Sequence, residues 1–204
     1  LKAPVQINNP HWFSDDTLMV SGSFAPGNSM IFEHQGVLVF QNTSIPLNYI
    51  NPCGKLLDCK VVFSGNKTLL LLDTFRVSGV FDITGSGTFQ TQSYPMFLGS
   101  FYSSTSLSKS ILLDNSEITI QHGGMALALA EVGLTLDADN ASFYFTSADT
   151  VHFYTGEDSL LVFGDIHLSA FSVLHNSFQT SHLILPAGAK LWLDDGVDIR
   201  FEQL

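Results

Sequence analysis

The sequence predicts an all-β fold, a parallel β-solenoid of short strands with roughly three to a coil. Three observations carry that expectation. Apolar residues come as pairs separated by one position, the mark of a strand with one buried face. The pairs recur mostly every seven to nine residues through the second half of the chain. Glycine, asparagine and aspartate punctuate the gaps, which is the chemistry of tight turns.

In chain order, Val5 and Ile7 alternate but lie between Pro4 and Pro10, so residues 1–13 are expected to form an extended N-terminal arm. "FAPGNSMIFEHQGVLVF" (24–40) supplies the pairs Met30/Phe32 and Leu38/Phe40. The Pro- and Cys-containing stretch 45–59 reads as a loop projecting from a coil. Next come Phe75/Val77 and Phe81/Ile83, then Ile118/Ile120, Leu127/Leu129, Leu134/Leu136, Phe143/Phe145, Val151/Phe153 and Ile166/Leu168. An Ala-rich helix over 125–136 competes with the strand reading there, because alanine and leucine favour helix. "LPAGAKLWLDDGVDIRF" (185–201) closes the chain with Leu191/Leu193 and Ile199/Phe201 expected inside, Trp192 and Arg200 outside, and a turn at Asp194-Asp195-Gly196. Counted from Gly27 and from Gly188, the apolar positions of the two quoted stretches fall at the same offsets. That self-similarity favours a solenoid over the alternative, a β-sandwich or jelly roll, whose strands need hairpin turns. All 204 residues are expected to form one domain of about eight coils, a rod on the order of 40 Å long at the usual strand spacing.

The phrases "LILPAGAKLWLDDGVDIRF" and "SFAPGNSMIFEHQGVLVF" resemble the coil wording of secreted right-handed parallel β-helix proteins of the autotransporter-passenger and bacterial-adhesin type. The resemblance implies a right-handed coil and an extracellular or cell-surface setting.

Composition narrows the partners. Eight lysines and arginines face nineteen carboxylates, for a net charge of −11. Such a surface repels nucleic acid and anionic lipid, both of which are bound through basic side chains. The apolar run "MALALAEVGLTL" is too short to span a bilayer and carries Glu131, so membrane insertion is not expected. The start at Leu1, without Met, reads as a processed terminus.

Candidate sites are few. Cys53 and Cys59 lack C-x-x-C spacing and further metal ligands, and are expected to close a small disulfide loop. Asp194, Asp195 and Asp198 form the obvious acidic cluster for glycosidic chemistry, yet they occupy a turn that the repeat itself demands. Asp137, Asp139 and Asn140 only partly match a calcium loop and read as an Asx-rich turn. His152 and His167 alternate with apolar neighbours and should face solvent. No enzyme activity, cofactor or metal is therefore expected. The expected role is structural or adhesive, with self-association into a homo-oligomer or filament, the arm residues Val5 and Ile7 completing a neighbour's sheet. The alternative is a carbohydrate-binding or carbohydrate-cleaving module for a glycan or host-surface ligand. Trp12, Trp192, Tyr144 and Tyr154 would then be its ring platforms. Sequons at Asn42, Asn66 and Asn140 do not establish glycosylation in a chain so rich in Ser and Thr.

Overall fold

The computed structural model describes residues 11–14, 16–41, 46–103, 105–129, 132–156 and 160–201, with the side chains of 11–14 excepted. Among them every regular element is a strand, and every named pairing is parallel. The strands stack as a β-solenoid of about eight turns. In chain order they are β1 (His11–Ser14), β2 (Thr17–Val20), β3 (Ile31–His34), β4 (Val37–Phe40), β5 (Leu47–Ile50), β6 (Leu56–Leu57), β7 (Lys60–Phe63) and β8 (Thr68–Leu71). They continue with β9 (Phe75–Ile83), β10 (Thr88–Gln90), β11 (Met96–Ser103), β12 (Lys109–Leu112), β13 (Glu117–Ile120), β14 (Gly124–Leu129) and β15 (Leu134–Asp137). The last are β16 (Ser142–Phe145), β17 (Val151–Tyr154), β18 (Leu161–His167), β19 (Phe171–Leu174), β20 (Phe178–Ile184), β21 (Lys190–Leu193) and β22 (Ile199–Phe201).

Each turn lays strands on three faces. The four long strands β9, β11, β18 and β20 run across a corner: β9 and β11 pair along both halves, as do β18 and β20. On their other sides the two halves of β9 meet β6 and β7 and those of β11 meet β13 and β14, while only one half of β18 meets β16 and one half of β20 meets β22. Gly99 shows why a corner needs glycine. A Cβ there would drive into the Ser78 carbonyl and lie 2.6 Å from both the Gly79 carbonyl and the His122 ring, at the point where β11 slips register against β9.

Parallel in-register stacking turns the alternation into continuous interior ladders. One runs Leu18, Leu38, Val61, Phe81, Phe101, Leu127, Phe153, Leu174, Leu193. Leu38 through Leu174 are buried, and only the two ends are not. Phenylalanines fill whole layers where the faces meet. Phe75, Phe81 and Phe89 come from the three faces of one turn, and Phe81 packs edge-on to the others at 5.2 and 4.9 Å between centroids. Phe143, Phe153 and Phe163 repeat the arrangement, with Phe163 5.4 and 5.6 Å from its two partners. Each fully buried side chain of this size contributes about 1.5–3 kcal/mol, and the edge-on ring pairs add to that.

The paired apolar positions read from the sequence are thus strands with inward faces, and Ala126, Leu127 and Leu129 lie in β14 rather than in a helix. The two matching stretches occupy different faces: 24–40 supplies β3 and β4, whereas 185–201 supplies β21 and β22, which continue the faces of β4 and β20. Their shared wording therefore encodes any two strands across a corner, not one position in the coil. Within the stretch 45–59, Leu47–Ile50 and Leu56–Leu57 are strands β5 and β6, and a turn at Cys53-Gly54 lies between them. His11–Phe13 belong to β1, paired with β3, while Val5 and Ile7 of the expected arm lie outside the described residues. Leu191, Leu193, Ile199 and Phe201 continue interior positions but are not buried as a set: Leu191 and Ile199 are half-buried, Leu193 is 49% exposed and Phe201 56%. No described residue stacks on this last turn, so its inward side chains have neighbours on one side only.

Candidate functional site

Two surfaces concentrate chemistry, and the ladder geometry explains both. The first is the outer side of the face formed by β14, β17, β19 and β21. Parallel register puts Met125, His152, Val173 and Trp192 in one outward row, and Tyr154, His175 and Asp194 in the next. Trp192 is 48% exposed, as its alternation with Leu191 and Leu193 predicts, and Phe171 stands at the edge of the same face under the Lys190 ammonium. Tyr154 lies flat on the His175 ring, 3.9 Å between centroids and 1° from parallel.

Within this face the polar groups form a connected line. Asp194 Oδ2 lies 2.6 Å from His175 Nδ1, and His175 Nε2 lies 2.8 Å from His152 Nδ1. A carboxylate only accepts, so His175 donates from Nδ1. The Nε2 of the neutral ring is then the acceptor, and His152 donates to it from its own Nδ1. The two imidazoles are nearly coplanar, 12° apart. Asp194, read from sequence as solvated turn chemistry, is indeed exposed, but it also orients a histidine on the neighbouring turn. Asp198 holds Arg200 at 2.8 Å, and Asp195 is exposed, so the acidic cluster does not converge. His167 and Tyr144 stack on a different face at 4.3 Å, beside the His182–Asp165 contact at 2.8 Å. Of the four aromatic platforms, Trp192 and Tyr154 share a face, Tyr144 does not, and the side chain of Trp12 lies outside the described residues.

The second surface is an open groove of about 400 Å³ lined by Leu136, Asp137, Ala138, Asp139, Val162 and Gln179. It opens where β15 ends its five-stranded sheet without a ladder to β18. That break is also why Leu134 and Leu136 are only half-buried. Desolvation, a hydrogen bond with Asp139, and the charges of Asp139 and Asp114 together hold the Asp137 carboxyl above its ordinary value. Asp139 and Asn140 occupy a turn, and Asn140 Nδ2 donates to Asp139 Oδ1 at 3.2 Å.

The expected disulfide is not formed: Cys53 and Cys59 are both free. Cys59 sits in the core against the Leu38 backbone, and burial pushes its thiol up to about 12. Cys53 sits in a left-handed turn at φ 56° and its Sγ approaches Asn51 Oδ1 at 3.5 Å. One cysteine serves the core and the other a surface turn. The sequence spacing could not reveal this without the strand phase.

Among the described residues no three His, Cys, Asp or Glu side chains are grouped so as to hold a metal ion, and no helix is long and apolar enough to cross a membrane. Sequence reasoning placed His152 outward but missed its pairing with His175 and Asp194. The signal was the roughly twenty-residue coil period, which sets Tyr154, His175 and Asp194 at 21 and then 19 residues apart. Compared with protein-family models, with curated proteins and with solved structures, the chain matches none.

Proposed function

We propose that this is a structural or adhesive β-solenoid of the cell surface or extracellular space, and that it self-associates end to end. The observation that carries the reading is the unbroken parallel ladder from Leu38 to Leu174, whose register a further layer of strands can continue. Among the described residues β21 and β22 have a strand on one side only, and Leu193 is 49% exposed although its ladder neighbour Leu174 is fully buried. Unpaired strand edges beside open apolar positions form a template for another strand layer. Among the described residues β1 and β2 likewise have one partner each, β3 and β4. A second copy stacked head to tail continues the same parallel ladders, and a heterologous contact of that kind propagates. Negative-stain microscopy tests the reading: rods several times the length of one chain are expected, and uniform single-chain particles overturn it.

A second reading, glycan binding, is favoured by one observation: Trp192, Tyr154 and Phe171 stand on one flat face beside the polar groups of His152, His175 and Asp194. An exposed ring offers an apolar surface to a sugar, and the flanking polar atoms fix its hydroxyls. Binding on a broad glycan array that is lost in Trp192→Ala supports it, and an empty array removes it.

A further inference from the structure

We propose that His152 and His175 form a two-histidine site for a borderline divalent transition metal such as Zn²⁺, with Asp194 as the positioning carboxylate. Two ring nitrogens, His152 Nδ1 and His175 Nε2, point at one another across 2.8 Å from half-buried side chains on adjacent turns. Two imidazoles on one tetrahedral zinc, at about 2.0–2.1 Å each, stand about 3.3 Å apart. The pair therefore needs to open by only about half an ångström, with the rings turning out of line. The cation takes the place of the shared hydrogen, which passes from His152 Nδ1 to its Nε2, so two neutral rings bind without net proton loss.

The carboxylate that would orient a ligating ring is already in place. Asp194 accepts from His175 Nδ1 at 2.6 Å, which fixes the tautomer that leaves Nε2 as a lone-pair donor. A carboxylate behind a ligating histidine orients the ring and raises its basicity. Tyr154, parallel to His175 at 3.9 Å, prevents the ring from tipping. Imidazole nitrogen suits Zn²⁺, Cu²⁺ and Ni²⁺, whereas Mg²⁺ and Ca²⁺ require oxygen cages that this face lacks. With two protein ligands the remaining positions fall to water, so the site is open and exchangeable.

The test is isothermal titration of the whole chain with Zn²⁺, repeated with Mg²⁺, on the wild type and on outward-facing variants whose β-rich circular dichroism is checked first. The wild type is expected to take up zinc and not magnesium. His152→Ala and His175→Ala should each weaken zinc binding more than tenfold. Asp194→Asn should weaken it about 10–100-fold, the usual loss when the carboxylate behind a ligating histidine is removed. His182→Ala, on another face, should leave it unchanged. Absence of zinc uptake by the wild type, or uptake unaltered by His152→Ala, overturns the proposal.

Discussion

Replacing Phe81 with alanine removes the ring at the centre of the Phe75–Phe81–Phe89 layer, where it contacts Phe89 at 4.9 Å, Phe75 at 5.2 Å and, stacked on the next turn, Phe101 at 5.6 Å. A buried Phe→Ala costs about 3–5 kcal/mol through lost transfer energy and the cavity left behind, and three ring partners place this one at about 5. For a chain of this size that corresponds to a fall in Tm of about 10–20 °C. Phe97 is the matched control, since it faces outward beneath the Arg76 guanidinium at 4.4 Å, and Phe97→Ala should cost only about 0.5–1 kcal/mol. Calorimetry gives the two Tm values. Hydrogen exchange should show the Phe81→Ala loss concentrated in β7, β9 and β11, because a solenoid turn couples mainly to its neighbours. Equal damage from the two substitutions would refute the assignment of inward and outward sides on which every site above depends.

Gly99→Ala should destabilise by about 1–3 kcal/mol, the usual cost of overpacking, because its methyl meets the Ser78 and Gly79 carbonyls; chemical denaturation measures it, and a stability equal to wild type would contradict the corner geometry. A thiol reagent should label Cys53 quickly and Cys59 only on unfolding, since the thiolate is the reactive form and the buried Cys59 thiol is pushed up to about 12. Intact mass of unreduced protein should show both thiols free. Asp137→Asn should raise Tm at pH 7. The folded state holds that carboxyl above its ordinary value, so it binds the proton more readily than the unfolded chain and loses stability as pH rises through the shifted range. The gain from asparagine should therefore vanish below about pH 3.8, the ordinary value.

Much of the fold was legible because a parallel solenoid writes its core as a local rule. Phe143/Phe145 and Val151/Phe153 announce inward pairs without knowledge of any distant partner. What stays hidden is phase. The offsets shared by 24–40 and 185–201 mark two strands across a corner without saying which corner, and the structure sets them on different faces. The same ambiguity hid the separation of Cys53 from Cys59 and the alignment of Tyr154, His175 and Asp194. The burial of Leu193 and Phe201 was misjudged for another reason. Alternation shows which way a side chain points, but burial also needs a turn above it, and among the described residues Leu174 has one and Leu193 does not.

Sedimentation velocity of the wild-type chain across a concentration series, alongside a Leu193→Lys/Phe201→Lys double variant, tests end-to-end association. Both substitutions place charge on the open last turn, where the native side chains are 49% and 56% exposed, so the turn beneath should remain intact. The wild-type sedimentation coefficient should rise with concentration while the double variant, with an unchanged circular dichroism spectrum, stays monomeric. A wild type that remains monomeric up to its solubility limit, or a double variant that assembles equally well, would contradict it.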